Sequence, residues 1–218
     1  MADIRTPVKL TPQLQYLVDA KIADPSFTHK SWNDEDLAPL RSFLRAYYRE
    51  EQRGKCAYCK RALSGTAAAN CHVEHLLPKA LYPGFIFEPR NLCAVCAECN
   101  SVKRNQEVQN ASVDTLNKAK AKLYPRSAGA FKIVHPHFDE YDEHILLLKK
   151  KFYVSKSPKG SFTIDTCDLN AEVRKYGWKR EFIDEKAARS AAQRLLASTS
   201  AQETAAALLE LQDTLLDV

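Results

Sequence analysis

The residues best equipped for chemistry lie between Cys56 and Arg104. Cys56-Ala-Tyr-Cys59 forms one Cys-x-x-Cys pair, and Cys93, Cys96 and Cys99 are spaced so that a second pair can be drawn in more than one way. Two such pairs supply four thiolates, which fill the tetrahedral shell of a zinc ion and leave it no open position for water or substrate. Such a zinc would be structural. Between the pairs runs Cys71-His72-Val73-Glu74-His75-Leu76-Leu77-Pro78-Lys79, followed by Arg90-Asn91-Leu92. An imidazole has the ordinary pKa best suited to proton abstraction near neutral pH, and a carboxylate is a hard oxygen ligand suited to magnesium or manganese. Hydrolysis of a phosphodiester needs both functions, a base to deprotonate water and a divalent cation to neutralise charge on the phosphate and leaving oxygen. His75 and Glu74 could supply them if the chain turns sharply at that point.

This order of residues resembles the HNH endonucleases, also called His-Me finger nucleases. The resemblance implies a compact ββα unit with the base at the end of the first strand and a metal ligand on the helix. His75 matches the general-base histidine, and Glu74 the preceding metal ligand. Asn91 matches the middle asparagine that holds the loop and orients the base. Asn100, after Cys99, stands in the last position of the motif, where histidine is common and asparagine serves some members as second metal ligand. The family's Asn-Leu-x-x-x-Cys-x-x-Cys-Asn pattern selects Cys96 and Cys99 as partners of Cys56 and Cys59, which leaves Cys93 to pack in the interior. Asparagine in place of histidine leaves more positions for water and phosphate oxygens, favouring a hard ion, Mg2+ or Mn2+, over catalytic zinc. Lys79, Lys103 and Arg104 are candidates for holding substrate phosphates.

A Glu-His dipeptide alone carries little information, and a zinc knuckle alone is more often a folding staple than part of an enzyme. The competing reading is therefore a catalytically silent, zinc-stapled module that binds nucleic acid or protein. A narrower resemblance runs from about Arg41 to Asn170. Cys-Ala-Tyr-Cys, His-Val-Glu-His with Pro-Lys, and the later Val-His-Pro-His-Phe-Asp are similar to the small HNH proteins encoded with ATPases in bacterial antiphage systems, Septu and retron-associated types among them. That resemblance implies a nuclease effector acting on nucleic acid, DNA before RNA, with an ATPase-type partner or a second copy of itself.

Composition is compatible with these expectations and decides little by itself. The net charge of +5 and pI near 8.8 suit a polyanionic partner but are common elsewhere. Seven cysteines make a disulfide framework awkward, and no charged leader precedes an apolar run, so paired spacing favours metal over disulfide in a reducing cytoplasm. Cys71 and Cys167 read as unpaired, buried thiols. No apolar stretch approaches the roughly 20 residues of a membrane span.

The elements that must position these residues read as α+β: a zinc-stapled ββα core with flanking helices and a small antiparallel addition. Residues 1–55 are expected to form a helical segment packing on the core, 56–125 the core, and 126–218 a β-hairpin with a C-terminal helical extension. Helices are expected over Asp34–Arg53, from near Cys99, and from Ser112 to before Pro125. His72-Val73 and Phe87–Leu92 read as short strands. Beyond Pro125, strands are expected at Phe131–Val134, His144–Lys149, Lys151–Ser155 and Ser161–Thr166, the last two joined by a turn at Ser157-Pro-Lys-Gly160. Asp168–Leu196 has helical periodicity, and Ser200-Ala-Gln-Glu203 offers a capping box to a final helix. Its Leu208, Leu211 and Leu215 make a candidate docking face. His135-Pro-His137-Phe-Asp139 reads first as a hydrogen-bonded loop, with a ligand role for either histidine left open.

Overall fold

A computed structural model describes residues 2–65, 68–110, 123–148, 151–176 and 185–215. Helix α1 (Pro12–Ala23) starts on Thr11, whose side chain accepts from Leu14 N, and Pro12 takes the first helical position, where a missing N–H breaks no bond. A 3-10 turn at His29–Asn33 then buries Trp32. Helix α2 (Ala38–Glu51) places Leu40, Leu44 and Tyr48 at four-residue intervals, so one stripe faces the interior. It leaves through Arg53 and Gly54, both in the left-handed region.

Strand β1 (His72–His75) pairs antiparallel with β2 (Leu92–Val95), setting His72 opposite Val95, Glu74 opposite Cys93 and His75 opposite Leu92. All of β2 is buried. Its free edge is met by α2, where the Gln52 amide donates to Ala94 O at 2.8 Å and accepts from Ala94 N at 2.7 Å, as a neighbouring strand would. The strand starts later than the expected Phe87–Leu92, because Pro89 has no N–H for a ladder and opens a 3-10 turn, Pro89–Asn91, capped by Glu88. Helix α3 (Ala97–Lys103) follows β2 directly and packs back on β1.

After the short helix α4 (Tyr141–His144), β3 (Ile145–Leu148) and β4 (Phe152–Ser155) form the second antiparallel pair, with Leu146 opposite Val154. Two of the expected strands are absent here. Phe131–Val134 forms only a bridge from Phe131 to Gln109, because Lys132 N goes to Val108 O and Val134 N to the Thr163 hydroxyl. Ser161–Thr166 belongs to helix α5 (Pro158–Thr166). The residues read as a hairpin turn are that helix's start: Ser157 accepts from Gly160 N at 3.1 Å, and Pro158 takes the first position. Gly160 is needed for another reason, since a Cβ there would lie 1.9 Å from His144 O.

Within the expected helical stretch Asp168–Leu196 lie α6 (Ala171–Tyr176) and α7 (Glu185–Ala197), residues 177–184 between them falling outside the described residues, and Asp168 at φ 49° separates α5 from α6. Helix α8 (Ala201–Leu215) is capped by Ser200, which accepts from Glu203 N at 3.2 Å, while the Glu203 carboxylate accepts from Thr199 N at 2.9 Å. Helices α7 and α8 pack on each other and share the Arg194–Glu210 ion pair. Most of the expected helix from Ser112 falls outside the described residues, as do Lys149 and Lys150. No helix among the described residues is long and apolar enough to cross a membrane.

Candidate metal centre and general-base site

Cys56, Cys59, Cys96 and Cys99 come together with all four sulfurs within 4.8 Å of one another, and Cys59 and Cys96 Sγ are 3.7 Å apart. Zn–S bonds of about 2.3 Å in a tetrahedron set sulfurs about 3.8 Å apart, so the cluster fits a four-thiolate zinc. Backbone N–H groups already point at the sulfurs: Cys96 N lies 3.4 Å from Cys56 Sγ and Cys99 N 3.5 Å from Cys96 Sγ. Hydrogen bonds from Cys56, Cys59 and Cys99 pull the Cys96 thiol far below its ordinary pKa. Cys93 lies elsewhere, buried on β2 opposite Glu74, and its burial raises its pKa well above the ordinary value. Cys71 and Cys167 are buried and free.

His75 ends β1 and is 5% exposed. Its Nε2 lies 3.0 Å from Ile86 O. A carbonyl can only accept, so Nε2 carries the proton and the lone pair of the neutral ring sits on Nδ1. Burial first, and then the charge of Lys79, push the His75 pKa down to about 3, so the ring is neutral at pH 7. Trp32 meets the imidazole edge-on at 4.6 Å between centroids, and Arg41 holds Trp32 in place by donating to its carbonyl at 2.6 Å.

Asn91 is fully buried and binds the loop that carries Ile86. Its Oδ1 accepts from Leu77 N at 2.7 Å, and Nδ2 donates to Leu77 O at 3.2 Å and Phe85 O at 2.9 Å. Both ends of the loop are thus tied to one amide, beside the carbonyl that fixes the His75 ring.

Successive strand residues face opposite sides, so Glu74 points away from His75, toward α3. Its Oε1 is buried and accepts no hydrogen bond, although Lys103 Nζ stands 2.7 Å away as an ion pair. Lys103 donates instead to His75 O at 3.1 Å and Leu76 O at 3.0 Å, and none of its surface is exposed. Lys103 is thus turned inward, onto Glu74 and the end of β1, whereas the sequence offers it as a candidate phosphate contact. Asn100 lies one turn before Lys103 on the same face of α3. Lys79 is close enough to Glu74 and Lys103 to feel both charges, and its pKa is lowered chiefly by burial. Arg104 is exposed beyond α3 and donates to Ser101 O at 2.7 Å. A carboxylate oxygen and an asparagine amide oxygen are both hard donors of the kind magnesium and manganese take.

His135 and His137 behave as structure. His135 Nδ1 accepts from His137 N at 3.2 Å, so its Nε2 donates to Tyr124 Oη at 3.0 Å. His137 Nε2 donates to Leu92 O at 2.9 Å, bracing the residue opposite His75. Asp139 accepts from His135 N and pairs with Lys159, both at 2.7 Å. Trp32, Gln52 and His137 all support the site from distant parts of the chain, and no local pattern marks them.

No family model matches the chain. Parts of it are similar to two Septu proteins. Septu protein PtuA of Bacillus mycoides (strain KBAB4) is 26% identical over 147 residues, covering 60% of this chain and 19% of that protein. Septu protein PtuB of Bacillus thuringiensis is 32% identical over 78 residues, covering 34% of this chain and 30% of that protein. The chain spans less than a third of either relative.

Proposed function

We propose that the chain is a metal-dependent endonuclease of the HNH type, hydrolysing phosphodiester bonds in DNA, and that it serves as nuclease effector of a Septu-like antiphage system. The observation that carries this reading is the His75 ring: neutral, with Nε2–H fixed on Ile86 O and the basic lone pair left on Nδ1. His75 takes a proton from the attacking water. An anionic phosphate drawn in by Lys79 raises the low His75 pKa toward the working range, because an opposite charge nearby favours the imidazolium. Asn91 orients the base through the loop it ties down. Glu74 and Asn100 would hold one Mg2+ or Mn2+, which when bound neutralises charge on the phosphate and leaving oxygen. A zinc held by the four cysteines would tie the start of α3 to the Cys56–Cys59 turn that follows α2, and Arg104 is the exposed candidate for a phosphate contact.

The similarity to Septu proteins supports a defence role, and with it a protein partner. We assign that partner as an ATPase-type protein or a second copy, meeting the chain at the α7–α8 pair, and place its work in the cytoplasm, where thiols stay reduced for zinc. The test incubates zinc-loaded protein with duplex and single-stranded DNA and RNA, with and without Mg2+ or Mn2+. Cleavage requiring the added ion, with Glu74→Ala and Asn100→Ala raising the ion concentration needed, is the expected result. Binding to nucleic acid without cleavage under every condition would establish the silent module instead.

A further inference from the structure

A lysine with no exposed surface needs its charge paired and its donors satisfied, since burying an unpaired ammonium is strongly unfavourable. Lys103 meets both conditions with groups of the site itself. Its Nζ contacts Glu74 Oε1 at 2.7 Å, His75 O at 3.1 Å and Leu76 O at 3.0 Å. Two of its donors go to the carbonyls and its charge to the carboxylate, and with no exposed surface it does not reach a phosphate. Two of the oxygens belong to the residue assigned as base and the residue after it. The third belongs to the carboxylate assigned to the divalent ion.

We propose that Lys103 is a positioning residue of the site, a built-in cation that bridges Glu74 to the strand end carrying His75 and opposes the charge of a divalent ion bound at Glu74. The inference rests on Glu74 being a ligand of that ion. Two cations sharing one carboxylate in a poorly hydrated place repel each other, so the lysine sets ion affinity lower than the carboxylate alone would give. It also holds the backbone at the base, where a displacement of about 1 Å costs roughly 100-fold in rate. Removing the ammonium must then have opposite effects on the two readouts, tighter ion binding and slower cleavage. A lysine that merely filled space would not separate them.

The test measures Mn2+ binding by electron paramagnetic resonance on the zinc-loaded full chain, for wild type, Lys103→Gln, Lys103→Met and Glu74→Ala. Glutamine keeps N–H donors for the two carbonyls without charge, and methionine keeps only length. Both should bind Mn2+ roughly tenfold tighter or more, since a repelling unit charge is gone. Cleavage at saturating Mn2+ should fall about 100-fold in Lys103→Met, with Lys103→Gln losing less. Unchanged or weaker Mn2+ binding in variants that fold and hold zinc overturns the proposal. If Glu74→Ala weakens Mn2+ binding while Lys103→Gln leaves it unaltered, only the role of Lys103 is lost. If wild type binds no Mn2+, or Glu74→Ala binds it as well, the assignment of Glu74 fails and this inference with it. Should neither lysine variant fold, the 15Nζ resonance of Lys103 in wild type decides. It should shift in step with Mg2+ binding, and a resonance that ignores the ion overturns the proposal.

Discussion

At the residue scale the site depends on who owns each lone pair and each donor. Ile86 O claims the proton of His75 Nε2, and Asn91 makes that claim durable through hydrogen bonds to Leu77 and Phe85. Asn91→Ala should therefore act twice. It leaves the buried N–H of Leu77 without its partner, at a cost of about 2–3 kcal/mol, readable as a lower urea midpoint with unchanged slope. It also frees the loop that fixes the imidazole, so cleavage should fall even where the protein is fully folded. Unchanged activity in folded Asn91→Ala would detach the loop from the chemistry. Much at this scale was legible in the sequence. Cys56, Cys59, Cys96 and Cys99 announce themselves because metal ligands come in short local pairs, and Glu74-His75 stands out between them. What Lys103 does was hidden, because residue type does not say whether a helix turns a side chain inward, and here an acidic strand residue waits for it.

At the scale of elements, short pieces are held by cross-links between side chains and backbone more than by their own length. The four residues of β2 have β1 on one edge and the Gln52 amide on the other. In the second half, Ser157-Pro158-Lys159-Gly160 fits either a turn or a helix start, and local propensity favours neither decisively. Packing of Thr163 and Ile164 against Val134 and the core selects the helix, which alternation of apolar residues in Ser161–Thr166 concealed. Gly160 shows how close that packing is, with the backbone of His144 in the place of a Cβ. Gly160→Ala forces α5 away from α4 and should destabilise the protein by about 3 kcal/mol, at the upper end for overpacking. A thermal unfolding midpoint equal to wild type would show that α5 can move freely.

At the scale of the whole molecule, the interior contains histidines that must stay neutral. Burial lowers the His137 pKa to about 4 and puts His135 well below its ordinary value. In the unfolded chain both titrate near 6.5, so acid favours unfolding. Their contribution is complete above pH 6.5 and is lost as pH falls from there toward 4, on the order of 3 kcal/mol for His137 at the low end. His137→Gln retains a donor for Leu92 O but cannot titrate, so its stability should fall less steeply over that interval. Equal slopes in denaturant titrations across pH would remove His137 as the cause.

The α7–α8 pair gives the molecule its other large-scale feature. Leu208 and Leu209 are exposed on α8 and Leu211 is half-buried, whereas the side chain of Leu215 lies outside the described residues. Leu208 and Leu209 are therefore the two exposed leucines on which a docking face is tested. Leu208→Asp with Leu209→Asp should abolish association measured by light scattering or co-purification while leaving bound zinc and unfolding temperature unchanged. If the double variant still associates, the contact lies elsewhere on the chain. Periodicity revealed the helices but could not reveal that they pack mainly on each other, because each apolar face is satisfied equally by a core or by a neighbour.

The role of His75 is decided by single-turnover cleavage of DNA by wild type and His75→Ala at saturating Mg2+, with zinc content determined on the same samples. One zinc per chain is expected in both proteins, with a rate lower by about 1000-fold in the variant, within the range for loss of a general base. Equal rates in two proteins that both hold zinc would contradict a general-base role for His75.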